Sequence, residues 1–133
     1  MKTFVERLHQ GSDLKLEIKR IAKENHFSAA CIVNAVGSLS KLVIRTDVQD
    51  GKPVIKEYGK VEIVSLIGTI GKNGDHLHIH IAGGQKDGVV VGGHLVDGCI
   101  VHTTVELMFL VMNDLEFITK LDPNTGFDEL VVN

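Results

Sequence analysis

Three histidines, His76, His78 and His80, occupy every second position of an otherwise apolar run, "DHLHIHIAGG". A β-strand sends alternate side chains to one face, so this spacing lines the imidazoles up in a single row. Residues two apart on a strand have Cα atoms about 6–7 Å apart. Two imidazoles leaning together from His78 and His80 can each set a ring nitrogen about 2.0–2.1 Å from one zinc ion. Two ligands hold a metal weakly, and the best third donor is His94 in "VGGHLVDG". Its neighbours Gly92 and Gly93 tolerate close backbone approach and unusual dihedral angles. His102 is less well placed, with no glycine beside it.

Three neutral imidazoles leave a coordination position open, as catalytic zinc sites do. Zn, Cu, Fe and Ni all suit such donors, so the residues alone do not choose the metal. A nearby acid could orient a ring N–H or carry a proton. Glu62, which opens the preceding apolar segment, is the first candidate for that catalytic part and Glu106 the second. Structural readings stand beside these. One strand histidine among apolar neighbours is ordinarily a hydrogen-bonded polar residue; it is the pair with a glycine-flanked third that points to a metal. His76, next to Asp75, reads as exposed or as a neighbour of the ligands, and His9 and His26 as surface residues.

The elements that must position these groups read as one domain spanning residues 1–133, with charged residues at 23% of the chain as in ordinary globular proteins. "MKTFVERLH" alternates as an opening strand, and "GSDLKLEIKRIAKENH" follows with Leu14, Ile18, Ile21 and Ala22 at helical spacing. Ser12 is the expected N-cap, with Asp13 an acid in the first turn. The remainder is strand-like. "AACIVNAVGSLSKLVIRTDV" gives two apolar runs around a bend at Gly37-Ser38; "VEIVSLIGTI" reads as a central strand and "DHLHIHIAGG" as its hairpin partner. "GVVVGGHLVDGCIV" carries two glycine clusters and reads as bent or bulged, "TTVELMFLVM" as the most buried strand, and "LEFITKL" as a strand before the "DPNTG" turn. "AGGQKDG" is a hairpin turn and not a phosphate loop, since no P-loop pattern or following helix accompanies it. Strand, helix, then many strands without βαβ alternation predicts an α+β fold, a mostly antiparallel sheet flanked by helix.

Composition narrows the function classes. The net charge is −3 with basic residues scattered among acids, which disfavours autonomous nucleic-acid binding. Cys31 and Cys99 sit in apolar runs and read as small core residues, not as a disulfide framework. Without a signal pattern or an apolar run of ~18 residues, the expected location is the cytoplasm.

The segment "HLHIHIAGGQKDGVVVGGHLVDGCIV" resembles the signature of the PPC (plants and prokaryotes conserved) domain: H-x-H, a "DG" turn, and "GGHL" before the next strand. "GKVEIVSLIGTI" and "DPNTGFDEL" are similar to further stretches of stand-alone prokaryotic members, so the likeness spans nearly the whole chain. It implies a PPC-like α+β fold, assembly as a homotrimer, and a metal site, zinc by expectation, at His78, His80 and His94. Land-plant members carry the domain behind a basic AT-hook; no such arm occurs in this sequence, and three assembled chains would triple the negative charge. A remoter resemblance in fold and ligand pattern joins the family to acetolactate decarboxylase. Two functions follow as expectations: a regulatory or interaction module, with self-association and a protein or small-molecule partner, or a zinc-dependent lyase or hydrolase acting on a small polar carbonyl compound.

Overall fold

The computed structural model describes all residues, 1–133. In chain order the elements are β1 (Lys2–His9), α1 (Leu14–Glu24), β2 (Ala29–Gln49), β3 (Lys52–Tyr58), β4 (Val61–Gly71), β5 (His76–Gly84), β6 (Val90–Leu95), β7 (Ile100–Val111), β8 (Phe117–Leu121) and β9 (Asp128–Val132). Seven strands form one sheet in the order β1-β7-β2-β4-β5-β6, with β3 joined to β2, and β8 and β9 make a separate hairpin. Every pairing is antiparallel. The α+β architecture is therefore the one the sequence predicts, with a single helix.

The long strand β2 organises the sheet. Its first half pairs with β7 and β4, while Ile44 and Arg45 near its far end pair with Leu95 and His94 of β6. That last pairing closes a circuit through β2, β4, β5 and β6. Gly37-Ser38 does not separate two strands, since β2 runs for 21 residues, but its register against β7 shifts between Gly37 and Leu39, as at a bulge. Gly37 also marks a close approach: a Cβ there would lie 2.0 Å from the Thr104 carbonyl oxygen, at a φ of +149°. A bare backbone lets β2 and β7 cross tightly where any side chain would collide.

Helix α1 buries the four residues its periodicity singles out, Leu14, Ile18, Ile21 and Ala22. They join Leu8, Ile32, Leu107 and Phe109 in one core, sealed at one end by Phe4, Phe27 and Phe109, whose rings lie 5.6–6.2 Å apart. The N-cap is Asp13, one residue later than the Ser12 expected. Its Oδ1 accepts from the backbone N–H groups of Lys15 and Leu16, and its Oδ2 accepts from Gly98 N–H at 2.7 Å. A carboxylate serves both the helix start and the turn before β7, which a hydroxyl could not do as well. Arg20 binds Glu17 and Glu24 on its own helix and Glu6 on β1, pinning α1 across the strand.

β7 is central, as its apolar run suggests, but only one of its faces is closed. Val101, Val105, Leu107 and Phe109 are buried while Thr103, Glu106 and Met108 are exposed. Cys99 is a core residue whose thiol donates to the Val43 carbonyl, and burial pushes its pKa up to about 11. Cys31 is half-buried instead, opposite Leu110 and Thr69.

Candidate metal centre

The face of the sheet away from α1 carries the histidines. Register places Ile67 of β4, His80 of β5, His94 of β6 and Arg45 of β2 in one cross-strand row. Directly opposed residues share a face, so the four side chains emerge together. A second row sets His78 beside Thr69 and Cys31. The rings of His78, His80 and His94 consequently meet, with centroids 5.1, 5.5 and 4.4 Å apart. Each offers one ring nitrogen, and the three nitrogens lie within 4.8 Å of one another.

Gly92 and Gly93 contribute by close approach, as the sequence suggests. A Cβ on Gly93 would stand 2.6 Å from the Arg45 carbonyl oxygen, and one on Gly92 2.8 Å from that of Ile81. β6 can therefore lie tightly between β5 and β2, which delivers His94 to the cluster.

The donors suit a transition-metal ion: imidazole nitrogens accept Zn, Cu, Fe or Ni, and the three are already within 4.8 Å of one another. Metal ligation also requires neutral imidazole. His94 is held below the ordinary imidazole pKa, first by burial and then by the cation of Arg45 and by His80 and His78. This three-histidine cluster could hold a metal.

The structure leaves the other sequence candidates outside the cluster. His76 is half-buried, 3.5 Å from the Thr69 hydroxyl, and burial, then His78 and Lys72, lower its pKa. Glu62 pairs with Gly84, four residues beyond His80 along β5, or about 13 Å at strand rise. Glu106 is exposed opposite Arg7 and Val36, and His102 stands on β7. His9 and His26 are exposed at the ends of β1 and after α1.

Two contributors have no counterpart in the sequence reading. A cleft of about 610 Å³ opens beside His78 and His94, and Arg45 lines it. The β8–β9 hairpin also lines it, through Phe127, Asp128, Glu129 and Leu130. Neither was legible locally. Nothing in "VIRTDV" marks Arg45, and only the β2–β6 register brings it to the site.

Together these features define a small α+β domain with an open, ligand-accessible cluster of three imidazoles. The Plants and Prokaryotes Conserved (PCC, also written PPC) domain matches residues 1–113, and the chain belongs to that family. It is 36% identical over 130 residues to the bifunctional protein GlmU of a Synechococcus strain, covering 98% of this chain and 20% of that protein; the chain thus spans about a fifth of the length of this curated relative. A Salmonella enterica hypothetical protein of known structure superposes with a TM-score of 0.91 at 29% identity, covering 99% of this chain and 93% of the other. A metal-containing protein from Archaeoglobus fulgidus gives 0.84 at 31% identity, covering 98% and 94%. The remoter decarboxylase likeness also appears: a Staphylococcus aureus protein similar to α-acetolactate decarboxylase matches at a TM-score of 0.58 and 14% identity, over 84% of this chain and 52% of that one. Two structures described as putative DNA-binding proteins, 20% and 21% identical, share the fold. No helix is long and apolar enough to cross a membrane.

Proposed function

We propose that this chain is a homotrimeric zinc-binding module of the cytoplasm, in which His78, His80 and His94 hold the metal and the open coordination side receives a partner or small ligand that regulates the domain. The observation that carries this reading is the convergence of three imidazoles from β5 and β6 at the mouth of a cleft. A purely structural zinc site is closed by four protein ligands; this cluster offers three. The 31% identical Archaeoglobus relative described as metal-containing supports the assignment.

Self-association has support from the face that α1 does not cover. Val5, Val33, Val36, Val64 and Ile67 are each more than half exposed there. Apolar patches of this kind on a soluble domain mark contact surfaces, and closed symmetric homo-oligomers are the usual outcome. Net charge, at −3 per chain, does not favour DNA as the partner.

A second reading, the zinc-dependent lyase or hydrolase, is favoured by the cleft itself. A zinc ion on three imidazoles polarises a carbonyl group or lowers the pKa of water to about 7. The acids that line the cleft are Asp128 and Glu129, so they replace Glu62 as the groups positioned to move a proton.

Elemental analysis of the purified protein and of His80→Ala tests the metal assignment. About one zinc per chain in the first and a large loss in the second are expected. Wild-type protein free of transition metal, after purification without chelator and incubation with zinc, would overturn it. Sedimentation velocity at micromolar concentration tests the trimer, and a monomer would end that part.

A further inference from the structure

Arg45 is the one guanidinium beside the histidine cluster, and it has no partner. The ion pairs of the chain use Lys15, Lys19, Arg20 and Lys41, never Arg45. Its side chain also makes no hydrogen bond within the protein, although it is half-buried. Unpaired lysines on a surface are unremarkable because solvent screens them. A guanidinium beside a cleft is different, since its planar fork of N–H donors, still open to solvent, is free to take a planar acceptor.

Its surroundings sharpen the problem. Arg45 follows His80 and His94 in the same cross-strand row. Any dication on three neutral imidazoles keeps its full charge, and the guanidinium adds another on the same side. No carboxylate belongs to the cluster. The cleft therefore carries positive charge beside His78 and His94, with an unoccupied planar hydrogen-bond fork supplied by Arg45 of β2.

The rest of the lining limits what can enter. Asp128 and Glu129 of β9 line the cleft alongside Phe127 and Leu130, and Lys15, paired with Asp97, lines it too. Two carboxylates in the lining repel a dianion such as phosphate more strongly than a monoanion. Val96, Phe127 and Leu130 supply apolar surface for the rest of such a ligand, and Phe127 is 63% exposed. About 610 Å³ lies within the range of small-molecule sites.

We propose that the cleft binds a small organic acid with a short apolar tail, its carboxylate held by the Arg45 guanidinium in front of the histidine cluster and its tail against Phe127 and Leu130. A guanidinium grips a carboxylate through two parallel N–H···O bonds, so Arg45 is the residue that selects for the acid over its neutral analogues. This rests on the metal-module reading for its strongest binding, but the guanidinium–carboxylate contact stands without the metal.

The test is calorimetric titration of the zinc-incubated protein with 4-methyl-2-oxopentanoate, its amide and inorganic phosphate. Saturable binding of the acid is expected, with the amide and phosphate much weaker. Arg45→Gln should weaken the acid by about tenfold to a hundredfold without changing the amide, while Arg45→Lys loses less. Zinc content and the thermal midpoint of both variants should match wild type. Equal acid affinity in Arg45→Gln, tighter phosphate than acid, or no acid binding to folded wild type would each overturn the proposal. The metal reading is judged separately by zinc content. If wild type takes up no zinc, that reading falls, and the same titration on chelator-treated protein still shows or refutes the dependence on Arg45.

Discussion

The two faces of the sheet solve opposite problems with the same strand alternation. On the α1 side, Leu107, Phe109, Ile18 and Ile21 are buried, and Arg20 satisfies three carboxylates at once. On the other side, Met108, Val36 and Ile67 remain exposed, and its polar groups include three clustered histidines and Arg45, which has no protein partner. Phe109 and Met108 are adjacent in sequence yet belong to these two regimes. One face holds the fold together, and the other is kept available. Changes on the first should therefore cost stability and spare ligand binding, and changes on the second should do the reverse.

The largest effect belongs to the closed face. Phe109 touches both Phe4 and Phe27 across the core, and Phe109→Ala leaves a cavity that neighbouring strands cannot fill. A loss of about 3–5 kcal/mol is expected, measured by urea unfolding of chelator-treated protein. The molecules that stay folded should still take up zinc. A loss below about 1 kcal/mol would mean that the aromatic cluster is not the centre of this core.

His80→Ala is its counterpart on the open face. Loss of a direct ligand should exceed the ten- to hundredfold penalty typical of removing a residue that merely supports one. The unfolding free energy of the chelator-treated variant should stay within about 0.5 kcal/mol of wild type, as for surface changes generally. Competition against a chromogenic chelator gives the first quantity and urea unfolding the second. A variant that lost stability and kept its zinc would reverse the assignment of the two faces.

How much of this could be read in the sequence depends on how locally each feature is encoded. Helix α1 was legible because its stripe repeats within 11 residues. The histidine cluster was legible because two of its members share a strand and the third sits behind a glycine pair. Strands β3 and β9 carry no such local pattern. β3 lies at a sheet edge and is exposed at all but Val54 and Tyr58, so it shows no apolar alternation, although Asp50 and Gly51, at φ +51° and +73°, form the Asp-Gly turn that signals a hairpin. β2 was split because Gly37-Ser38 looks like punctuation; the cause of that glycine is Thr104, 67 positions away in sequence and visible only once β7 is placed. Glu62 illustrates a related point. In an antiparallel hairpin the start of one strand meets the end of the next, so it faces Gly84 and not the histidines. Arg45 and the β8–β9 wall depend wholly on tertiary register.

The open face can also be broken without touching a ligand. Ile67 is 58% exposed and opposite His80, and Ile67→Glu places a charge in the apolar field proposed to be the contact between copies. Sedimentation velocity should show a shift from trimer toward monomer, because a buried unpaired charge disfavours assembly. Circular dichroism of the variant should remain that of a folded β-rich protein. An unchanged trimer would move the interface to another surface, such as the β8–β9 hairpin with its exposed Leu121 and Val132.

The smallest effect is that of pH on the metal-free protein. His76 and His94 both have pKa values below the ordinary 6.5, with burial the leading cause. Just below pH 6.5 the unfolded chain therefore binds protons that the folded chain refuses. The stability these neutral imidazoles contribute is present above pH 6.5 and is lost as pH falls through the lowered folded values, below which no further loss arises from them. Chelator-treated protein should melt at a lower temperature at pH 5.5 than at pH 7.5, and His94→Asn should flatten that difference. Zinc-loaded protein should show a steeper dependence, since protons then compete with the metal for the same nitrogens. Identical slopes with and without zinc would mean that these rings titrate without coordinating anything, and the contrast between the faces would be one of exposure alone.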